Sequence, residues 1–255
     1  MDEKLPLLLD LLGSGEDMTR LHAAKTLEDL LKEELEHGRS DWEPLAQQLT
    51  PALIHRLSDR VKGVQVHAAN CLEFLAYQSE LVLPALRTAM GGAHRQERWL
   101  AALIAARLGL WLPEMSPALE DALGAEDRDL RWAAAHLSVR LCRTHQKAVP
   151  MILQSLKSPN PTARRMAAYC LGALECDAAV VQPLRDSLGS APALEQSLVA
   201  ALTDADPTVR RAALLALHRL RSLSPAALER MAALQADPDP FVRRTATAVC
   251  GRLRS

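Results

Sequence analysis

The chain has 255 residues, of which 49% are hydrophobic and 3% aromatic. A core of this composition must consist of Leu, Ala and Val, which suits closely packed helices better than a β-sandwich. The net charge of −1 favours no class of partner. The N-terminus is acidic, which argues against a signal peptide. No apolar run approaches the ~18 residues that a membrane-spanning helix needs, so we expect no contact with a membrane. Five cysteines without a CxxC pair predict a reduced, cytoplasmic protein.

A repeated helix organises the chain. The stretch DADPTVRRAALLALHRL at 204–220 recurs as DPDPFVRRTATAVCGRL at 237–253, and related stretches occur seven times in all. With Val209 as position 0 of its repeat, the equivalent residues are Thr19, Val64, Glu97, Leu130, Ala163 and Val242. Their spacing is 33 residues, except for two gaps of 45 and 46. A second set of residues follows the same period of 33, namely Pro51, Pro84, Pro117, Pro150 and Pro183.

Each repeat is therefore predicted to be a pair of helices, which buries its apolar faces only by stacking on other pairs. Position −3 holds a short acceptor side chain that is expected to cap the second helix in four repeats: Asp127, Asn160, Asp206 and Asp239. A proline at the first helical position follows three of them: Pro161, Pro207 and Pro240. Apolar residues at positions 0, 4, 8 and 11 form one buried stripe.

Two insertions interrupt the period. Residues 32–44 are predicted to lengthen a helix and its loop, and residues 189–197 to belong to an extra helix around 192–203. Insertions of this kind usually lie at one edge of a repeat stack, so each is a candidate for a secondary contact.

The stretches SPNPTARRMAAYCLGAL and DPTVRRAALLALHRL resemble the HEAT repeat in its bacterial style. The resemblance covers nearly the full length and implies an all-α fold, a right-handed α-solenoid of about seven helical hairpins. Residues 1–255 are then expected to form a single domain. It also implies that the second helices line the concave surface. Many functions use this scaffold, so the resemblance does not identify one.

Arginine occupies position 1 in six of the seven repeats: Arg20, Arg98, Arg131, Arg164, Arg210 and Arg243. HEAT-like repeats commonly pair this arginine with acidic residues in the turns of neighbouring repeats. The resemblance therefore implies a structural role for these six residues, and we set them aside as binding residues.

Positions 2, 3, 6, 10 and 13 lie opposite the buried stripe. In repeats three to seven these 25 positions hold eight Arg and no Asp or Glu, and five of the eight aromatic residues of the chain lie on the same stripe. Exposed Arg beside Trp and Tyr is typical of binding hot spots. The predicted partner-binding residues are Trp99, Arg107, Trp132, His136, Arg140, Arg165, Tyr169, Arg211, Arg219 and Arg244.

Guanidinium groups suit carboxylates and phosphates alike. The first prediction is therefore a non-catalytic scaffold that binds an acidic or extended protein segment, and the alternative is a nucleic-acid-binding protein. The alternative resembles bacterial alkylpurine DNA glycosylases, which combine HEAT-like repeats with concave Trp, Arg and a catalytic Asp. This sequence differs from them because the stripe carries no acid in repeats three to seven.

His22 and His67 occupy equivalent positions, and each is followed six residues later by a glutamate, Glu28 or Glu73. HEAT-like deoxyhypusine hydroxylases bind iron through adjacent His-Glu pairs. Residues six apart point in different directions from one helix, and the sequence contains no His-Glu dipeptide. We therefore predict no metal, and neither a catalytic motif nor a cofactor fingerprint is apparent.

Overall fold

A computed structural model describes residues 4–174, 191–220 and 223–253, and these residues form helices without a β-strand. The first helices of the pairs are α1 (Leu5–Leu12), α3 (Glu43–Arg56), α5 (Val82–Met90), α7 (Met115–Leu123), α9 (Val149–Ser155), α11 (Ala191–Ala201) and α13 (Pro225–Ala233). The second helices are α2 (Asp17–Glu36), α4 (Lys62–Gln78), α6 (Arg95–Arg107), α8 (Arg128–Thr144), α10 (Pro161–Leu174), α12 (Pro207–Leu217) and α14 (Pro240–Leu253). The predicted all-α fold is confirmed, and the described ranges contain seven pairs of consecutive helices.

The chain divides into two compact units, unit 1 (Met1–Ala118) and unit 2 (Leu119–Ser255), with the boundary inside α7. In unit 1 the second helices α2, α4 and α6 pack against each other in order, and in unit 2 α8, α10, α12 and α14 do the same. The second helices therefore form a layer within each unit. A single domain over residues 1–255 remains a prediction.

The predicted capping residues begin the second helices. Asp127 and Asp239 each accept hydrogen bonds from two backbone N–H groups of the following turn, at 2.8 to 3.0 Å. The side-chain oxygens of Asn160 and Asp206 each accept one such bond, at 2.9 and 2.7 Å. Helices α10, α12 and α14 begin at the predicted prolines. The local sequence thus fixes where these helices start.

Leu, Ala and Val fill the core, as the composition predicts. Val64, Val209 and Val242 at position 0 are completely buried. Alanine is frequent on the buried faces because a small side chain lets two helices approach closely, as at Ala168 in α10 and Ala213 in α12, both fully buried. No helix in the described ranges is both long enough and apolar enough to cross a membrane.

The first insertion lengthens α2 to Glu36, as predicted, and its loop folds onto unit 1. Trp42 in this loop is buried, and its indole N–H donates to the Arg39 carbonyl at 3.0 Å. The ring meets Phe74 of α4 edge to face, with 5.4 Å between centroids. The insertion therefore contributes to the packing of unit 1.

The second insertion contains α11, so a helix near residues 192–203 is confirmed. Helix α11 packs against α12, the next helix along the chain. Residues 189–190 and the marker proline Pro183 lie outside the described residues, so whether α11 is additional to a regular repeat stays a prediction.

Candidate functional site in unit 2

The six arginines at position 1 are structural, as the family resemblance implied. Three of them form two-pronged ion pairs with the next turn: Arg20 with Asp59, Arg164 with Asp204 and Arg210 with Asp237, all with contacts of 2.7 to 3.1 Å. The backbone carbonyl three residues before the start of their own helix accepts a hydrogen bond from each of the six: Arg20, Arg98, Arg131, Arg164, Arg210 and Arg243. These guanidinium groups tie each turn to its helix.

A cleft of about 360 Å³ opens on the second-helix layer of unit 2. Four predicted site residues line it, namely Trp132 of α8, Arg165 and Tyr169 of α10, and Arg219, which follows α12. Stripe positions from three successive repeats therefore meet at one concave site. The sequence prediction that these side chains share a surface is correct for this group, whereas their role in binding remains a prediction.

Two aromatic side chains form one wall of the cleft. The rings of Trp132 and Tyr169 are perpendicular, with centroids 4.8 Å apart, and His136 lies beside Trp132 at 6.0 Å. Edge-to-face aromatic pairs stabilise each other beyond the area they bury. The two rings are half-buried, so each still presents part of its surface to the cleft. The wall is thus held in place before any ligand arrives.

The rest of the lining is apolar and small. Met166 is 4% exposed, and Ala212, Leu215 and Ala216 of α12 contribute the opposite side. Helices α10 and α12 approach very closely at Gly172, where an added Cβ would lie 2.9 Å from the Cα of Ala216. A larger residue at this glycine would push the two helices apart and widen the cleft.

Guanidinium groups surround this apolar lining. Arg128, Arg165 and Arg219 line the cleft, and within the described ranges none of the three has a side-chain hydrogen bond or ion pair. No described carboxylate lines the cleft either. An arginine without a carboxylate keeps its five N–H donors available for an anion. The arrangement can therefore hold a group that is both anionic and apolar.

The other predicted residues of unit 2 lie outside the cleft. His136 and Arg140 are exposed on α8, and Arg211 and Arg244 are exposed on α12 and α14. Arg140, Arg211 and Arg244 have no side-chain partner among the residues that the structure describes. Arg211 and Arg244 occupy the same position of their repeats as Arg165, which places them along the same face of consecutive second helices.

Two predicted residues belong to unit 1, and the structure contradicts the predicted exposure of one of them. Trp99 is only 6% exposed, so its predicted role as an exposed anchor is wrong. A helical wheel places a Cα, but an indole is long enough to cover neighbouring apolar surface and gains from doing so. Arg107 is exposed as predicted, but its guanidinium contacts the Glu73 carboxylate of α4 at 3.1 Å. Its role as a partner-binding residue remains a prediction.

A polar cluster on the second helices of unit 1 escaped the sequence reasoning. Glu28 of α2 contacts His67 of α4 at 2.7 Å, accepts from Asn70 at 3.2 Å and pairs with Lys32 at 2.7 Å. Burial raises the pKa of Glu28, but these hydrogen bonds outweigh burial and the net shift is downward. The spacing argument correctly excludes a contact between His and Glu of the same helix. The observed contact joins consecutive repeats, because His67 of α4 reaches Glu28 of α2.

This cluster does not resemble a metal centre. Among the described residues, no three His, Cys, Asp or Glu side chains come close enough together to hold a metal ion. Glu28 uses both carboxylate oxygens on neighbouring side chains. The contact between Glu28 and His67 is therefore part of the packing between α2 and α4.

The sequence reasoning also missed Arg128. It lies two residues before position 0, next to the capping residue Asp127, and was not on the stripe that the helical wheel selected. Its side chain reaches the cleft from the first turn of α8. A basic residue in the first turn of a helix opposes the helix dipole, and this unfavourable placement is the signal that points to another role.

Comparisons with solved structures agree with this fold. The structure of Kap121p is similar over 99% of this chain and 29% of that chain, with 16% identity and a TM-score of 0.57. The structure of Cex1p is similar over 96% of this chain and 51% of that chain, with 16% identity and a TM-score of 0.54. The chain thus spans about half of Cex1p and less than a third of Kap121p, and at this identity the likeness concerns the fold alone.

A search of curated proteins finds no sequence that matches this chain. The family profile described as HEAT repeats matches residues 116–196 and 189–251, which together make up more than half of the chain. The matched residues include α8, α10, α12 and most of α14, with the four capping residues and four of the six structural arginines described above. The chain therefore belongs to the HEAT-repeat family.

Proposed function

We propose that this protein is a non-catalytic scaffold that binds an acidic, extended segment of a partner protein on the second helices of unit 2. The observation that carries the proposal is the cleft between α8, α10 and α12. It combines a rigid aromatic wall, an apolar lining and three arginines that have no carboxylate partner in the described part of the chain. Aromatic and arginine side chains are the residues that most often dominate binding energy at protein interfaces.

The charge distribution supports an anionic partner. Residues 119–255 contain 18 basic and 14 acidic residues, whereas residues 1–118 contain 12 basic and 17 acidic residues. The excess of positive charge in unit 2 favours the encounter with an acidic chain, and the opposite excess in unit 1 disfavours binding there.

A protein segment fits the cleft better than a nucleic acid does. The lining is mostly apolar and encloses enough space for one large side chain, which lets an apolar residue be buried while a neighbouring carboxylate meets a guanidinium. Binding to phosphates would depend on the arginines alone and would weaken steeply with salt. The four described cysteines that are free and buried suit a cytoplasmic scaffold.

The test is a fluorescence-anisotropy titration with three labelled probes of equal length. The first is a peptide of Glu and Phe in a Gly-Ser background, the second has Gln in place of every Glu, and the third is single-stranded DNA of mixed sequence. The proposal expects the Glu peptide to bind at least tenfold more tightly than the Gln peptide, at about 50 and about 200 mM salt.

The controls separate the alternatives. The variant R165E/R211E/R244E replaces the position 2 arginines of α10, α12 and α14, of which Arg165 lines the cleft, and should abolish binding of the Glu peptide. The matched variant K147E/K157E/R230E changes the net charge equally and lies on the first helices and their turns, so it should bind normally. Tighter binding of DNA, with an affinity that falls about a thousandfold between those salt concentrations, would favour the nucleic-acid alternative. Equal binding of the Glu and Gln peptides would overturn the proposal.

A further inference from the structure

We infer that the partner segment binds in the polyproline II conformation with one turn per HEAT repeat, carrying a large apolar residue followed by acidic residues at every third position. This inference rests on the proposed function and specifies the partner's sequence and backbone. It follows from the order of side chains along α8, α10, α12 and α14.

Equivalent positions of these helices form one row. Position 2 of the four repeats holds Trp132, Arg165, Arg211 and Arg244. The four helices pack against each other in order, and the close approach at Gly172 shows that α10 and α12 are direct neighbours. The row therefore runs without interruption from the aromatic wall of the cleft past three arginines.

The spacing of this row selects the partner's conformation. Helices that pack in this way have axes about 8 to 10 Å apart. A polyproline II helix rises ~3.1 Å per residue with three residues per turn, so one turn advances ~9.3 Å and returns every third side chain to the same face. A β-strand alternates its faces, so residues three apart point in opposite directions. Acidic side chains at every third position can thus meet every arginine only on a polyproline II segment.

The charges of the row agree with this register. Arg165, Arg211 and Arg244 have no side-chain partner in the described ranges, whereas the arginines at position 1 of the same repeats, Arg164 and Arg210, are paired with carboxylates. Neighbouring guanidinium groups about 10 Å apart repel each other weakly in water. One carboxylate per repeat neutralises this row with no charge left over, and the apolar residue enters the cleft beside Trp132.

The test compares synthetic peptides of one composition in different registers. The triplet peptide is Phe-Gly-Ser-Glu-Gly-Ser-Glu-Gly-Ser-Glu, tested also in the reverse order because the row does not define the chain direction. The doublet peptide has the same residues with Glu at every second position. We expect the triplet peptide, in one direction, to bind at least tenfold more tightly than the doublet peptide. Equal affinities, or tighter binding of the doublet, would overturn the inference.

The conformation is tested with proline spacers. Phe-Pro-Pro-Glu-Pro-Pro-Glu-Pro-Pro-Glu is restricted to polyproline II before binding, so it should bind at least threefold more tightly than the Gly-Ser triplet peptide. Weaker binding of the proline peptide would contradict the conformation. If neither the triplet peptide, the doublet peptide nor any other acidic peptide binds, the proposed function fails. If acidic peptides bind without a preference for the triplet peptide, only the inferred register fails.

A double-mutant cycle tests the register at one arginine. R211Q should weaken the triplet peptide about fivefold, and it should leave unchanged a triplet peptide in which the second Glu is Gln. Lys157→Gln, on the turn after α9, is the matched control and should alter neither affinity. Additive effects of R211Q and the peptide change would show that Arg211 does not meet the second acid.

Discussion

The two units differ in whether the basic residues on their second helices are paired with carboxylates. In unit 1, Lys32 and Arg107 are paired with glutamates of the same layer, Glu28 and Glu73. In unit 2, Arg165, Arg211, Arg219 and Arg244 have no carboxylate partner among the residues the structure describes. Charges compensated within the fold contribute to packing, whereas uncompensated charges on an ordered surface remain available for a partner.

The same contrast separates two classes of arginine inside unit 2. Position 1 arginines bond to turn acids and turn carbonyls, and the pKa of Asp237 is lowered by hydrogen bonding to Arg210. Position 2 arginines lie next to them in sequence, at Arg165, Arg211 and Arg244, which is about 100° further around the helix. One residue along the helix thus separates arginines that are paired within the fold from arginines that we propose to bind a partner.

The largest expected effect is a loss of stability when a position 1 arginine loses its carboxylate partner. The side chains of Arg20 and Asp59 are 6% and 2% exposed. Asp59→Asn removes the buried one of the two carboxylates that contact Arg20, the other being the half-exposed Asp17 at 2.7 Å, and should lower the free energy of unfolding by about 2 to 3 kcal/mol. Urea titration followed by circular dichroism measures the change. A loss below about 1 kcal/mol would show that the pair contributes little to unit 1.

Acid should weaken the same pair. Burial raises the pKa of Asp59, but hydrogen bonds from Arg20, Arg56 and the Val61 N–H outweigh it and bring the pKa to about 2. A lowered carboxylate pKa stabilises the fold above the unfolded value near 3.8. About 2 kcal/mol should therefore be lost as the pH falls from about 4 to about 2. Over this range the stability difference between wild type and Asp59→Asn should shrink, and a constant difference would contradict the account.

Next in size is the loss of the aromatic wall. Trp132→Ala removes the ring that contacts Tyr169 and should weaken the Glu–Phe peptide about tenfold, or about 1.4 kcal/mol. Tyr77→Ala is the matched control in unit 1, since Tyr77 lies on the equivalent stripe and is 64% exposed. Peptide titration should show no change for this control. Equal losses for both variants would remove the distinction between the units.

The smallest effect is expected at Arg107. Because its guanidinium is already paired with Glu73 at the surface, Arg107→Gln should change peptide affinity less than twofold and stability by less than about 1 kcal/mol. Arg165→Gln, by contrast, should weaken the peptide about fivefold. Both variants are measured in the same peptide titration. A larger loss of affinity for Arg107→Gln than for Arg165→Gln would contradict the distinction between the two units.

Local features of the fold were predictable from the sequence. Helix starts at Asp127, Asn160, Asp206 and Asp239 depend on hydrogen bonds within one turn, so the position of a capping residue is enough to infer them. The period of 33 and the buried stripe are likewise visible in the sequence because the same helix packing recurs in every pair. These inferences need no knowledge of the neighbouring side chains.

Features that depend on contacts between repeats were less predictable. The burial of Trp99 and the contact of Glu28 with His67 follow from how neighbouring helices meet, which a helical wheel of one helix does not contain. Arg128 enters the cleft from outside the selected stripe because a long side chain reaches around the start of α8. The sequence predicts that one face of the second helices carries four of these residues: Trp132, Arg165, Tyr169 and Arg219. It does not predict that this face forms a cleft.

The central claim is that the unpaired arginines of unit 2 are kept for a partner and contribute little to folding. The most direct measurement determines both peptide affinity and the free energy of unfolding for R165E/R211E/R244E beside wild type. We predict that affinity for the Glu peptide falls at least a hundredfold while the unfolding free energy changes by less than about 1 kcal/mol. Unchanged affinity, or a loss of stability as large as that expected for Asp59→Asn, would contradict it.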